Sequence, residues 1–394
     1  MNRRRQILVV AGLTLVTLVI LYLAEHRNRF FDSKVYFGAV HYWFRDHGMV
    51  YDWLRPGTPY GYTYPPFSGL VMAPMAYLPF GVVVVLACAA TVLTTALLTW
   101  WFAMPLIRRR GWTRWYAYAI AVLLALAFEP VRETLTFGQV NTLLLTLVAA
   151  DMLFGLSHGR RWAGVGIGLA TAVKLTPGVF VLYLLVTRRW RAAGVAIGTA
   201  AAATLAAAAI APDQSREFWT DALWDTGRVG VLSYVSNQSI RGFLARLPID
   251  PVASYGWVIL VLIAIGFWAR RIGRARADLF GGLALTGVLG CLISPVTWVH
   301  HCVWLLPAIV RCIDAGLSAG DRWSLRLGAG AYLIMTSRLL WVWEKRPRPP
   351  LELIGSNLYL WFSVALLALT PMLTRADPAE APVSAEYPRS VSIG

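Results

Sequence analysis

The sequence predicts an all-α polytopic membrane protein with about twelve transmembrane helices, long outer loops and both termini cytoplasmic. Three observations predict it. Hydrophobic residues make up 58% of the 394, charged residues only 14%, and mean hydropathy is +0.58. A soluble chain carries about a quarter charged residues, so this one lacks the polar surface to cover itself in water. The apolar residues fall in runs close to the roughly 20 residues needed to cross a hydrocarbon core. Short basic clusters punctuate the runs, the mark of cytoplasmic loops. A soluble enzyme, a disordered chain and a disulfide scaffold are excluded. The net charge of +16 sits in these inter-helix clusters rather than on one soluble face, so nucleic acid is not an expected partner.

Residues 7–24 form the first run. Arg3-Arg4-Arg5 precedes it and fixes residues 1–6 inside. Leu23-Ala24-Glu25-His26 is a poor cleavage site, so the segment reads as an uncleaved helix. An aromatic, mixed-charge loop, 25–66, follows on the outer side, and 67–79 either lies along the interface or spans. Residues 80–103 cross inward to Arg108-Arg109-Arg110. Residues 115–129 go out and 139–157 return to Arg160-Arg161. Both Arg161 and Arg188 read as cytoplasmic, so the 26 residues between them fit a pair of short helices. These are 162–173 and 178–187, with Lys174-Leu175-Thr176-Pro177 at the apex. Residues 192–211 go out, a second outer loop spans 212–251, and 252–269 return to Arg270-Arg271. Stretches 279–294, 298–313, 325–343 and 357–373 complete the set. The domain is thus 7–373, with 374–394 a loose cytoplasmic tail. This topology puts 21 of the 36 basic residues inside and 13 of the 20 acidic residues outside. Lys345-Arg346-Pro347-Arg348 breaks the pattern by landing outside. The four cysteines lie in or beside apolar stretches with no C-x-x-C pair, which favours small buried hydrophobes over a metal or redox site.

Ionisable groups gather with aromatics in the outer loops, where a channel or scaffold needs few. Asp32 lies among Phe30, Phe31 and Tyr36, just past the first helix. Poor solvation there raises a carboxyl pKa and suits it as a general base for a hydroxyl acceptor. Most loop acids are merely solvated, and Asp46 and Asp52 compete for the role. Tyr64, in Tyr62-Thr63-Tyr64-Pro65-Pro66-Phe67, fits a sugar-stacking face or an interface belt. Glu129-Pro130-Val131-Arg132-Glu133 reads as a solvated turn. The following Gly138-Gln139-Val140-Asn141 opens an apolar helix, where Gln139 and Asn141 bond either a ligand or a neighbouring helix. Lys174 is one of only three lysines, and an ionisable group inside an apolar hairpin is a functional candidate. It suits a phosphate as a point charge; the bland alternative is a snorkelling lysine. Ser294-Pro295-Val296-Thr297-Trp298-Val299-His300-His301 puts two histidines together. Consecutive helical residues point about 100° apart, so one faces the site and the other packs. In Asn237-Gln238-Ser239 the amides either bind sugar hydroxyls or cap the helix near Ile240.

Taken in order, the early Asp, Tyr-Pro-Pro-Phe, Gly-Gln-Val-Asn, Lys-Leu-Thr-Pro, Asn-Gln-Ser and Ser-Pro-Val-Thr-Trp-Val-His-His resemble the GT-C membrane glycosyltransferases of glycosyltransferase family 87. These include the PimE-like polyprenol-phosphate-mannose-dependent α-1,2-mannosyltransferases. The resemblance runs from about residue 7 to 373 and implies a GT-C fold with its site on the outer face of the plasma membrane. It implies a polyprenyl-phosphate sugar donor, a phosphatidylinositol mannoside or lipoglycan acceptor, and inversion in a single displacement. By its place after the first helix, Asp32 takes the family's base role. Lys174 with His300 or His301 takes the donor phosphate. Tyr64, Gln139, Asn141, Asn237 and Trp298 line the sugar and acceptor pocket. No D-x-D motif for a nucleotide sugar is present, which fits a lipid donor and no cofactor. Arabinosyl transfer from decaprenyl-phosphate-arabinose is the alternative within the family. A lipid or sugar transporter is the alternative outside it, and it predicts midplane polar residues and repeat symmetry, neither of which the sequence displays.

Overall fold

The computed structural model describes residues 1–247, 252–344 and 351–373; the Lys345–Arg348 cluster and the 374–394 tail lie outside them. Among the described residues the chain is helical, with one isolated two-residue bridge, Leu54 to Gly61, and no strand. Each of the twelve predicted apolar stretches contains helix. Among the described residues, five helices are long and apolar enough to cross a membrane: Arg3–Asn28, Phe80–Arg109, Trp190–Ile210, Tyr255–Arg274 and Val299–Ala319. A sixth span arises if the bent pair Glu129–Phe137 and Asn141–Leu156 counts as one. Arg114–Ala127, Thr176–Val186, Leu279–Ile293 and Leu358–Leu369 are shorter apolar helices.

The surface fits a bilayer. Along Arg3–Asn28, side chains such as Leu8, Leu15, Leu18 and Leu23 are more than half exposed, which an apolar helix tolerates only in lipid. Leu279–Ile293 is the opposite case: 13 of its 15 residues are buried. It forms the axis of the main core, packed by Val179–Val186, Val252–Arg274, Leu306–Ala319 and Leu358–Leu369. Its glycines permit this approach; a Cβ on Gly287 would stand 2.6 Å from the Trp304 carbonyl oxygen.

A second, smaller core caps one end of the helices. Tyr36, Ala39 and Val40 of the Phe31–Phe44 helix pack there with Tyr51, Tyr62, Tyr64 and Phe218. Gln214 Oε1 accepts from the Val50 N–H at 2.9 Å and ties the two long loops together. Within this cap, 67–79 folds as Pro66–Met72 followed by the 3₁₀ turn Ala73–Tyr77. Twelve helical residues reach only about 20 Å, so the segment does not cross.

The Glu129–Phe137 stretch departs from expectation. It is a helix, and Glu129, Arg132 and Glu133 are buried rather than solvated, at 0%, 3% and 2% exposure. Glu129 accepts from Trp341 Nε1 at 2.8 Å and from the Tyr359 hydroxyl, and pairs with Arg338 at 3.1 Å. The acids are satisfied by partners some 200 positions away, so no local signal announced their burial. The helix then turns by 118° into Asn141–Leu156, and the break, Gly138 to Val140, lies at the site.

Candidate active site

The first helix ends in a tight reversal. Arg29 and Phe30 both adopt left-handed backbone, φ 49° and 52°. Non-glycine residues pay roughly 1 kcal/mol or more each for this, so the turn needs outside support. It has it: Asn28 Nδ2 donates to Thr136 Oγ1 at 2.8 Å, and the Phe30 N–H donates to the Thr136 carbonyl at 3.0 Å. The reversal starts the Phe31–Phe44 helix and puts Asp32 in its first turn, against the end of Glu129–Phe137. Gly138 closes the fit. Its φ is +72°, and a Cβ there would lie 1.7 Å from Ser33 Oγ.

From Asp32 a continuous hydrogen-bond chain runs inward. Gln139 Nε2 donates to Asp32 Oδ2 at 2.5 Å and to Tyr36 Oη at 2.7 Å. Tyr36 Oη donates to Tyr64 Oη at 2.8 Å, and Tyr64 Oη donates to Gln139 Oε1 at 2.7 Å. Lys174 Nζ donates to Tyr64 Oη at 3.1 Å and to Asn141 Oδ1 at 3.0 Å, and stands 2.9 Å from His301 Nε2. Asn141 Nδ2 in turn donates to the His300 carbonyl at 3.2 Å. Six of the nine predicted site residues, namely Asp32, Tyr64, Gln139, Asn141, Lys174 and His301, thus share one network. Tyr36 is the member that sequence reasoning missed. It lies four residues after Asp32, hence on the same helix face, and that spacing was the available signal.

Lys174 is 7% exposed. It sits where Val165–Val173 ends and the Thr176–Gly178 turn begins, as the apex reading expected. It does not snorkel outward.

Of the two histidines, His301 faces Lys174. Its Nδ1 accepts the Trp298 backbone N–H at 3.2 Å. With Nδ1 so occupied, a neutral ring carries its proton on Nε2, pointing at Lys174 Nζ. Two donors then meet at 2.9 Å, and an anionic oxygen beside the pair would draw them apart and accept from both. His300 is turned about a right angle away, its ring 5.5 Å from Phe137 and 4.6 Å from the His301 ring, with Nε2 buried and unpaired. Beside His301 begins a narrow, largely apolar pocket lined by Thr176, Phe180, Gly290, Cys291 and Trp304.

Asn237 is fully buried. Its Oδ1 accepts from the Thr297 N–H at 2.9 Å and from Ser239 Oγ at 2.9 Å, and its Nδ2 donates to the Leu232 carbonyl at 3.0 Å. It braces the segment that carries Trp298 and His301. Ser239, not Asn237, caps the Ile240–Ala245 helix, accepting from the Gly242 N–H at 3.0 Å.

Among the loop acids, Asp32 is the enclosed one; Asp46 is 55% exposed beside His41. Burial pushes the Asp32 carboxyl up to about 6, opposed by the Gln139 hydrogen bond and the charges of Lys174 and Arg55.

Comparison with known proteins identifies the family. The family model described as Glycosyltransferase family 87 matches residues 62–295. The chain belongs to glycosyltransferase family 87. It is 34% identical over 329 residues to the polyprenol-phosphate-mannose-dependent alpha-(1-2)-phosphatidylinositol pentamannoside mannosyltransferase of Mycobacterium tuberculosis (strain CDC 1551 / Oshkosh), covering 80% of this chain and 73% of the relative. It is 32% identical to the polyprenol-phosphate-mannose-dependent alpha-(1-2)-phosphatidylinositol mannoside mannosyltransferase of Mycobacterium tuberculosis (strain ATCC 25618 / H37Rv), covering 80% and 77%. An alpha-(1->3)-arabinofuranosyltransferase of the CDC 1551 strain is 28% identical, covering 81% and 74%. No solved structure matches the chain.

Proposed function

We propose that this family 87 glycosyltransferase moves mannose from polyprenyl-phosphate-mannose to a phosphatidylinositol mannoside or lipoglycan acceptor, on the outer face of the plasma membrane. The observation that carries the reading is the hydrogen-bonded line from Asp32 through Gln139 and Tyr64 to Lys174 and His301. In this reading Asp32 is the base at one end of the line, and Lys174 with His301 is the anion-binding pair at the other. The greater identity to mannosyl- than to arabinofuranosyltransferases supports mannose as the sugar.

In this reading the acceptor hydroxyl oxygen attacks the anomeric carbon as the bond from that carbon to the phosphate oxygen breaks. Asp32 takes the hydroxyl proton. Polyprenyl phosphate departs with the electron pair, and Lys174 and His301 hold the charge that develops on it. One displacement inverts the anomeric centre. His300 stands behind His301, Tyr64, Gln139 and Asn141 form the polar floor, and Trp298 is the outer wall, steadied by Asn237. The narrow apolar pocket beside His301 is where, in this reading, the lipid end of the donor begins. In this reading the chain makes twelve crossings in a GT-C arrangement with both termini cytoplasmic, and these residues lie on the outer side.

The test is sugar transfer by purified protein in detergent, with polyprenyl-phosphate-mannose and polyprenyl-phosphate-arabinose offered separately. Mannose transfer supports the reading. Arabinose transfer alone would move the enzyme to arabinan synthesis. Folded protein that transfers neither sugar would favour the transporter alternative.

A further inference from the structure

A row of half-buried aromatic rings crosses the outer end of the site, and the mechanism above uses only one of them. Arg55 Cζ lies 4.0 Å from the centre of the Phe31 ring, and Phe31 meets Tyr60 edge-on at 5.6 Å. Gly230, in left-handed backbone at φ +118°, fills the gap between Tyr60 and Trp298. A Cβ there would stand 3.2 Å from the Trp298 ring and 3.5 Å from Tyr60. Trp298 continues to Tyr234 at 6.3 Å, and Tyr234 to Trp341 at 6.2 Å. Arg27 and Arg338 flank Trp341 at 4.6 and 5.4 Å. Glu344 closes this end, accepting from the Tyr234 hydroxyl at 2.7 Å and pairing with Arg27 at 3.7 Å.

Scattered tryptophans and tyrosines are ordinary at a membrane interface. Here five rings from four separate chain segments meet in series, with charged hydrogen-bonding groups at both ends. The row also adjoins the chemistry. Phe31 neighbours Asp32 in the helix, and the Trp298 N–H holds His301. Flat apolar faces edged by Arg and Glu suit pyranose rings, whose C–H faces stack while their hydroxyls reach the rim.

We propose that the row from Phe31 through Tyr60, Trp298 and Tyr234 to Trp341 is a subsite for the acceptor's glycan. It binds saccharide units beyond the one that reacts and makes the enzyme favour acceptors carrying several sugars. The proposal rests on the glycosyltransferase reading and adds the location and length preference of the acceptor.

The test compares wild type with Tyr234→Leu, and separately Trp341→Leu, in full-length protein. Synthetic lipid-linked monomannoside and trimannoside serve as acceptors with polyprenyl-phosphate-mannose. KM for the trimannoside is expected to rise about tenfold in either variant, with monomannoside turnover unchanged. Equal effects on both acceptors, or none, would overturn the proposal. Because Trp341 also donates to Glu129, thermal melting of that variant separates misfolding from lost binding. Tryptophan fluorescence titrated with free mannotriose reads the row without turnover. Saturable binding weakened in Tyr234→Leu supports the subsite even if no donor is used. Identical curves for variant and wild type would sink it.

Discussion

Gln139 donates a 2.5 Å hydrogen bond to Asp32 from a side chain only 6% exposed. The carboxylate therefore does not choose its own orientation. The same amide receives Tyr64 and reaches Tyr36, so Asp32 is locked to the residues that hold Lys174. Replacing Gln139 with Leu removes the bond that draws the Asp32 carboxyl down while leaving the burial that pushes it up. The acidic limb of kcat/KM should move above its wild-type position near pH 6. Turnover at neutral pH should fall about 10- to 100-fold. A pH–rate profile of the variant checks both. A purely structural role for Gln139 would lower the rate without moving the limb.

Gly138 is fixed by two independent demands, its φ of +72° and the 1.7 Å approach of Ser33 Oγ to any Cβ. Gly138→Ala should displace the first turn that bears Asp32. Activity should drop at least 100-fold, since displacements of about 1 Å carry that cost. Adding Ser33→Gly relieves the contact but not the backbone strain. The double variant should regain part of the rate, measured by transfer at saturating acceptor.

Lys174 fills its enclosure with contacts at 3.1, 3.0 and 2.9 Å. Lys174→Met removes the positive charge offered to the phosphate, and kcat/KM should fall about 100-fold or more. Lys174→Arg should rescue little, because a planar guanidinium cannot reproduce three contacts around one nitrogen. Initial rates at varied donor concentration check this.

Glu129 contributes stability rather than chemistry. Glu129→Ala removes the carboxylate beside buried Arg132 and Arg338 and takes the acceptor from Trp341, while Tyr359 keeps the Met335 carbonyl. Breaking a buried pair costs about 3–5 kcal/mol, so the melting temperature in detergent should drop by several degrees. Glu129→Gln, which keeps an acceptor oxygen, should lose less.

Much of this was legible in the sequence because bilayer thickness imposes its own length scale. Each of the twelve predicted apolar stretches contains helix, though among the described residues five helices, or six with the bent pair as one, are long enough to cross; Lys174 lies at the predicted apex. The buried helix Glu129–Phe137 was not legible, since Arg338, Trp341 and Tyr359 supply its burial from far along the chain. Nor was the choice between His300 and His301. That depends on the backbone turn that gives the Trp298 N–H to one ring, and residue spacing carries no record of it. Asn237 was readable as an amide near the site. Its full burial against Thr297 and Leu232 depends on tertiary packing alone.

The most direct test is kcat/KM for mannose transfer against pH, in wild type beside Asp32→Asn. The wild-type rate should fall as pH drops through about 6, where the buried carboxyl takes up a proton and loses its capacity as a base. The folded variant should be slower by about 10²- to 10⁴-fold and lack that limb. Near-wild-type turnover in Asp32→Asn, or an acidic limb that survives the substitution, would contradict Asp32 as the base.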